Sequence, residues 1–572
     1  MIRPSPAIVT QNAVRPLPRW ALLLLCIAYV LAGFIGRDPW RGDDMQAFGF
    51  MRAMAQGQAD WTTPLLAGLP PSTDGLLPLW LGAASMQLIG SVLGLELAAR
   101  LPFIALLAVT LAATWWATHD LARRPLAQPV AFAFGGEAQP RDYARALADA
   151  SLLALIATLG LAQFSHETTS HLSQLCGTTL VFLAAASMPV RRTRATLTAA
   201  IGLLILVFSG APSMALLLGL GSGALLACSD ESVPTQTQRQ RNYAIWLALA
   251  LATAVLSSAL GLWRWRIVAP ADAKEWGSLL RLLVWFAWPT WLLALWAVWR
   301  WRQQIAERQR HLLLPLWFVA VALAATLTTT PADRALLQAL PALAALAAFA
   351  LPTLGRSLAA LIDWFTLLFF SLSATVIWVI WLAVQTGIPA KPAANVAKLA
   401  PGYVHSFAPW PLALALLATL AWCVLVRWRT ARHRPAIWKS LVLPAGGAAL
   451  GWLLLMTLWL PLLNYGRSYA PQVARVATVI RTAQGSNPPT AADCIQPHGL
   501  DPGLVAALSY HGGLRVANAA QAASCHWAVV DIETYNDAHA TLPPAAWEEL
   551  ALVQRPTDRR DRLAVLRRRP AP

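Results

Sequence analysis

Residues 35–102 read IGRDPWRGDDMQAFGFMRAMAQGQADWTTPLLAGLPPSTDGLLPLWLGAASMQLIGSVLGLELAARLP. The stretch follows a first apolar run, Trp20 to Ile35, and most of the chain after it is hydrophobic helix. It brings adjacent carboxylates, Asp43 and Asp44, then a GQADW turn, a Thr-Pro and a Gly-Leu-Pro-Pro, and closes on a short apolar helix and Ala-Arg-Leu-Pro. Acids, an arginine and aromatic residues gathered just beyond the first helix of an apolar chain mark where chemistry is expected.

The surrounding composition is that of a membrane protein. Of 572 residues, 57% are hydrophobic and 12% are charged, and a soluble protein carries about twice that charged fraction. Mean hydropathy is +0.52. The 28 tryptophans suit long interfacial girdles, because indole is apolar with one polar N–H. A net charge of +17 could suggest nucleic acid, but most basic residues sit in short loops between apolar runs, as the positive-inside bias requires. No nucleic-acid partner is expected; membrane lipids are. Of six cysteines, Cys26, Cys176, Cys228 and Cys423 lie in or beside apolar runs as small hydrophobes. Cys494 and Cys525 fall in the polar C-terminal segment and are plausible disulfide partners if that segment faces an oxidising compartment. The first apolar run follows Arg3, Arg15 and Arg19 without a good small-x-small cleavage site, so it reads as a signal anchor with a cytoplasmic N-terminus.

A span needs about 20 apolar residues. Candidates are 20–36, 99–118, 148–164, 171–188, 196–209, 211–228, 243–262, 278–299, 312–329, 335–353, 358–385, 409–427 and 440–462. Residues 76–95 are also apolar, and parity decides their place. If they cross, five basic loops face outward; if they lie in the interface, all five face the cytoplasm. The prediction is therefore about 13 transmembrane helices, with 76–95 as an interfacial helix. Ser209-Gly210-Ala211-Pro212 interrupts 196–228, which reads as two short helices and a tight turn. From about Asn464 the apolar runs become short and alternating, as in a small α/β domain. The predicted organisation is a membrane domain over 1–462, with its first outward loop at 37–98, and a periplasmic α/β domain over 463–572. No GxGxxG or Walker pattern occurs.

On residue type alone, Asp43 and Asp44 could cap the helix starting at Met45 or supply a proton-abstracting carboxylate. The wider order of motifs favours the second reading. Asp43-Asp44, Phe48, Ala59-Asp60-Trp61, Pro64, Gly68-Leu69-Pro70, Leu76-Leu77-Pro78-Leu79-Trp80 and Ala99-Arg100-Leu101-Pro102 follow one another. This series resembles the first extracytoplasmic loop of GT-C glycosyltransferases, in particular the lipid A aminoarabinose transferases and protein O-mannosyltransferases. Arg334 to Ala344, with its Leu-Pro-Ala-Leu-Ala, is similar to a late helix of that family. The resemblance implies an all-α polytopic fold of GT-C type and a sugar donor carried on a polyprenyl phosphate. It implies Asp43 as catalytic base with Asp44 as its neighbour, Arg100, Arg264 and Arg266 as cations for the donor phosphate, and Trp61, Asp74, His166 and Glu167 as cavity-lining residues. Arg264 and Arg266 have an equal alternative as an interfacial Arg-Trp anchor. Two family lysines are replaced, one by Asp74 and one at the Ser209 turn. His166-Glu167-x-x-x-His171 places its histidines five apart, not the four that a zinc helix needs, so no metal and no cofactor is expected.

The expected activity is inverting transfer of a sugar from a polyprenyl-phosphate carrier to a lipid A, glycan or protein acceptor at the periplasmic face of a bacterial inner membrane. The alternatives are a non-catalytic relative and a transporter of lipid-linked sugars. A transporter would carry ionisable residues in mid-span, and Asp363 is the main such residue here.

Overall fold

The computed structural model describes residues 5–72, 75–228, 236–263, 268, 270, 272–329, 332–430, 436–485, 492–518, 521–535 and 542–569. The chain forms two compact units. The first comprises Met1–Phe34, Phe103–Thr375 and Leu412–Leu455; the second comprises Ile35–Pro102, Val376–Pro411 and Met456–Pro572.

The described secondary structure of the first unit is helical apart from one isolated bridge between Thr10 and Glu137. At its centre lies Leu340–Ala350, LPALAALAAFA, in which every residue is buried. A helix apolar on all sides has no face for water and belongs inside a bundle. Around it, small residues let backbones approach, as is usual where apolar lipid supplies no hydrophobic drive between helices. Helices Ser170–Ser187 and Arg192–Phe208 meet at a glycine pair: a Cβ on Gly177 would lie 2.9 Å from the Gly202 carbonyl oxygen, and the reverse distance is the same. The carbonyls at the end of helix Ser170–Ser187 are capped by cations, Arg124 reaching Ala186 at 3.1 Å and Arg310 reaching Ala185. Positive charge there complements the negative end of the helix dipole.

Each of the thirteen expected spans coincides with a helix or a helix pair. By length and apolarity, seven helices among the described residues could cross a membrane, and eight if one bent pair counts as a span. That pair, Ala273–Phe286 and Thr290–Arg300, occupies the expected span 278–299 and bends by 87°. Residues 148–164 divide at Thr158 into Pro140–Ala157 and Leu159–Phe164. The stretch 196–228 forms two 17-residue helices, Arg192–Phe208 and Pro212–Cys228, hinged at Gly210 with φ +82°. Residues 76–95 form the apolar 17-residue helix Leu77–Leu93.

The second unit gathers the first loop with the C-terminal segment. In the loop, helices Asp43–Ala55 and Leu77–Leu93 are joined through a two-residue turn in which Ala67 and Gly68 both take positive φ, with Leu66 and Leu69 exchanging backbone hydrogen bonds. That is the backbone a tight hairpin demands, and it accounts for the glycine of Gly68-Leu69-Pro70. The C-terminal segment holds a four-stranded sheet, with β1 Ile495–His498, β2 Trp527–Asp531, β3 Trp547–Arg555 and β4 Asp558–Arg568. The order is β1-β2-β4-β3, with β1 and β2 parallel and the other pairs antiparallel. Helix Pro502–Tyr510 lies between β1 and β2 in sequence, the crossover that parallel strands require. Cys494 and Cys525, each shortly before one of those strands, form a disulfide.

The glycine contact sets a test of the first unit. Gly202→Val should force the paired helices apart and cost about 1–3 kcal/mol, read as a lowered thermal midpoint in detergent, whereas Gly277→Ala, which meets open space, should leave it within the error.

Candidate active site

Helix Asp43–Ala55 begins at Gly42, whose φ of +84° and ψ of −138° suit glycine and no other residue. The Gly42 carbonyl accepts the first helical hydrogen bond, from Gln46 N at 3.0 Å. The two carboxylates therefore occupy the first turn, where unpaired N–H groups and the helix dipole favour negative charge. A second helix start adjoins it. Asp501 caps helix Pro502–Tyr510 through Leu504 N at 2.7 Å, and a Cβ on Gly503 would lie 3.2 Å from the Gly42 oxygen.

Successive helical residues point about 100° apart, and here that separates two environments. Asp44 is 2% exposed, and its Oδ2 accepts from Arg37 Nη2 at 2.7 Å and from the Trp40 backbone N–H at 3.2 Å. Asp43 is half-buried. Arg37 is fully buried, with its guanidinium 4.6 Å from the centre of the Trp40 ring. Arg467 lies over the same ring at 4.9 Å. The Trp40 indole N–H donates to Asn464 Oδ1 at 3.0 Å, and the Asn464 amide donates back to the Gly36 carbonyl at 3.2 Å.

Arg100, at 3% exposure, lies in electrostatic range of Arg37, Asp44, Glu96 and Asp38. Glu96 accepts from the Tyr510 hydroxyl at 3.0 Å. The Tyr510 ring packs edge-on against Phe48 at 4.8 Å, and Arg52 sits over it at 5.3 Å. Burial first, and then the Glu96 carboxylate, raise the Tyr510 phenol well above its ordinary range, so it remains a hydrogen-bond donor at ordinary pH. Trp61 is half-buried, and its carbonyl accepts from the Trp80 indole at 2.7 Å.

In the first unit, His166 is fully buried among the rings of Tyr29, Phe34 and Trp452, and a Cβ on Gly33 would fall 2.2 Å from its Cδ2. Its Nε2 lies 3.1 Å from the Tyr29 carbonyl oxygen. Glu167, 5% exposed, pairs with Arg334 at 3.4 Å. Close in sequence to both, a buried polar chain runs from Thr178 to Gln338 Oε1, from Gln338 Nε2 to Gln174 Oε1 at 2.6 Å, and from Gln174 Nε2 to the Ser209 carbonyl at 2.7 Å. Asp363, the main in-span acid expected from sequence, is paired with Arg429. Among the described residues, no three of His, Cys, Asp and Glu converge to hold a metal ion.

The structure thus brings Asp43, Asp44 and Arg100 together in one unit, and His166 and Glu167 in the other. Asp74, Arg264 and Arg266 lie outside the described residues. Sequence reasoning missed Arg37, Glu96, Tyr510 and Arg334 as site residues. Arg334 had one signal, a cation at the head of the wholly apolar LPALA helix; Arg37 had none that separates it from an ordinary loop arginine.

Two crystal structures of ArnT from Cupriavidus metallidurans match this architecture almost end to end. One, bound to undecaprenyl phosphate, gives a TM-score of 0.59 at 14% identity over 96% of this chain and 97% of that one. The other, in the apo state, gives 0.58 at 15% identity with the same coverage. The chain has the fold of ArnT. No family model and no curated protein matches the sequence. The all-α polytopic architecture with a small C-terminal sheet expected from sequence is thereby found, and the ArnT fold accounts for both compact units, since the match omits only a few per cent of either chain.

His511, next to Tyr510, offers a pH test of this region. Burial lowers its imidazole below the ordinary range, with Asp38 opposing. The folded chain keeps it neutral, whereas the unfolded chain protonates it near about pH 6.5. Its contribution to stability is complete above that pH and is lost as the pH falls below it. Protection of helix Pro502–Tyr510 from hydrogen exchange, after correction for the intrinsic exchange rate at each pH, should fall from about pH 6.5 downward, and His511→Phe should flatten that dependence.

Proposed function

We propose that this chain is a membrane glycosyltransferase that moves a sugar from a polyprenyl-phosphate carrier to a lipid A, glycan or protein acceptor, at the periplasmic face of a bacterial inner membrane. The observation that carries the reading is the sorting of the two acids. Asp44 is committed to Arg37 and the Trp40 backbone, and Asp43 is half-buried at the helix start, which supports reading Asp43 as the reacting carboxylate. The ArnT fold, seen in one structure with undecaprenyl phosphate, supports the choice of carrier.

In this reading Asp43 takes the proton of the acceptor hydroxyl as its oxygen attacks the anomeric carbon. The bond from that carbon to the carrier's phosphate oxygen breaks on the opposite face, so the configuration inverts. The departing phosphate needs positive charge. Arg100, in the unit that holds Asp43, is the candidate to supply it; Arg334, Arg264 and Arg266 are the candidates elsewhere in the chain. They are the cations that remain as candidates once the family's two lysines are replaced, one by Asp74 and one at the Ser209 turn. Trp61, Asp74, His166 and Glu167 are the further residues that the resemblance assigns to a donor cavity; His166, fully buried among the rings of Tyr29, Phe34 and Trp452, would act only as packing. No cofactor is required, because the activated donor already carries the leaving group.

Purified enzyme in lipid nanodiscs tests this. Asp43→Asn should lower sugar transfer by about 10²–10⁴-fold while retaining binding of undecaprenyl phosphate; full transfer by that variant removes the proposed base. Arg334→Gln should weaken binding of the same carrier roughly tenfold, the worth of a charged hydrogen bond.

A further inference from the structure

Arg37 is an unusual side chain. It is fully buried, and its Nε and Nη1 have no hydrogen-bond partner among the described residues. Only Nη2 is engaged, by Asp44 at 2.7 Å. A buried guanidinium gains little stability from such a pair over apolar side chains of the same size, so its retention calls for another purpose. No ligand reaches it directly, since no part of it is exposed.

Its position supplies the purpose. Asp43 and Asp44 are consecutive, and two neighbouring carboxylates disfavour one another's charge. We infer that Arg37 is the positioning residue of this site: its guanidinium cancels the charge of Asp44 and ties that side chain to the first helical turn, so that Asp43 alone carries the acid–base chemistry. The inference rests on the reading of Asp43 as base. Trp40, held by Arg37, Arg467 and Asn464, fixes the guanidinium from the other side of the loop.

The other ionisable groups around this turn are few. The loop adds Asp38 and Arg41, the latter 3.8 Å from Asp561 of β4. Helix Leu95–Ala122 contributes Glu96 and Arg100 at its start. Helix Pro502–Tyr510 brings its cap Asp501 and Tyr510, with His511 following and Arg467 over Trp40. Arg52 lies at the far end of the Asp43 helix, and helix Leu77–Leu93 carries no ionisable group.

The test needs no activity. Carbodiimide labelling of Asp43, read by mass spectrometry against pH on the full-length protein in nanodiscs, reports when its carboxyl is charged. Arg37→Met should move the labelling midpoint up by about one pH unit, because Asp44 is then uncompensated. Asp44→Asn should move it down, because Arg37 is then unopposed. The double variant Arg37→Met with Asp44→Asn, which loses both charges and keeps both shapes, should return it to the wild-type value. Should Arg37→Met fail to fold, the Asp44→Asn shift decides. A midpoint that ignores Asp44→Asn, or a double variant that does not return, overturns the inference. The acid limb of sugar transfer should follow the same three shifts. If wild-type enzyme transfers no sugar while labelling behaves as described, the glycosyltransferase reading fails and the Arg37–Asp44 coupling stands.

Discussion

A buried guanidinium facing a buried carboxylate organises the second unit. Arg37 and Asp44 are 0% and 2% exposed, and neither has water to fall back on. Breaking such a pair by removing one partner costs about 3–5 kcal/mol, because a charge is left in a medium that cannot solvate it. The geometry around the pair follows from that cost. Gly42 must adopt a backbone that delivers Asp44 inward at the first turn. Trp40 must lie under the guanidinium, and Asn464 must hold Trp40. Asp43, one residue earlier on the helix, projects about 100° around the axis from Asp44.

The membrane unit solves a different problem. Its helices are apolar on most faces, so water does not sort them. Backbone approach at Gly177 and Gly202 and cations capping helix Ser170–Ser187 take over that task. Polar side chains are concentrated in the chain from Thr178 through Gln338 and Gln174 to Ser209. Amides and hydroxyls inside an apolar bundle are costly unless they satisfy one another, as these do.

Much of the architecture was legible in the residues. Apolar run lengths gave the helices, Ser209-Gly210-Ala211-Pro212 gave the break in 196–228, and the change of rhythm near Asn464 gave the α/β segment. The bend of 87° between Phe286 and Thr290 was not legible as such: apolarity is a one-dimensional signal, and Pro289 alone does not tell a kink from a continuous span. At the site, the acid pair stood out because carboxylates are rare in this chain. Arg37 did not, since an arginine near the end of a span is ordinarily a solvated anchor. Glu96 and Tyr510 escaped for a plainer reason: they are 414 residues apart, and no local pattern joins them.

That separation has a consequence during biosynthesis. Asn464 is 424 residues downstream of the Trp40 it holds. At about 5–20 residues per second, the ribosome needs roughly 20 to 85 seconds to reach it. Until then Trp40, which packs on the guanidinium of Arg37, has emerged without the residue that holds it, and the chain's earliest loop is among the last parts to mature.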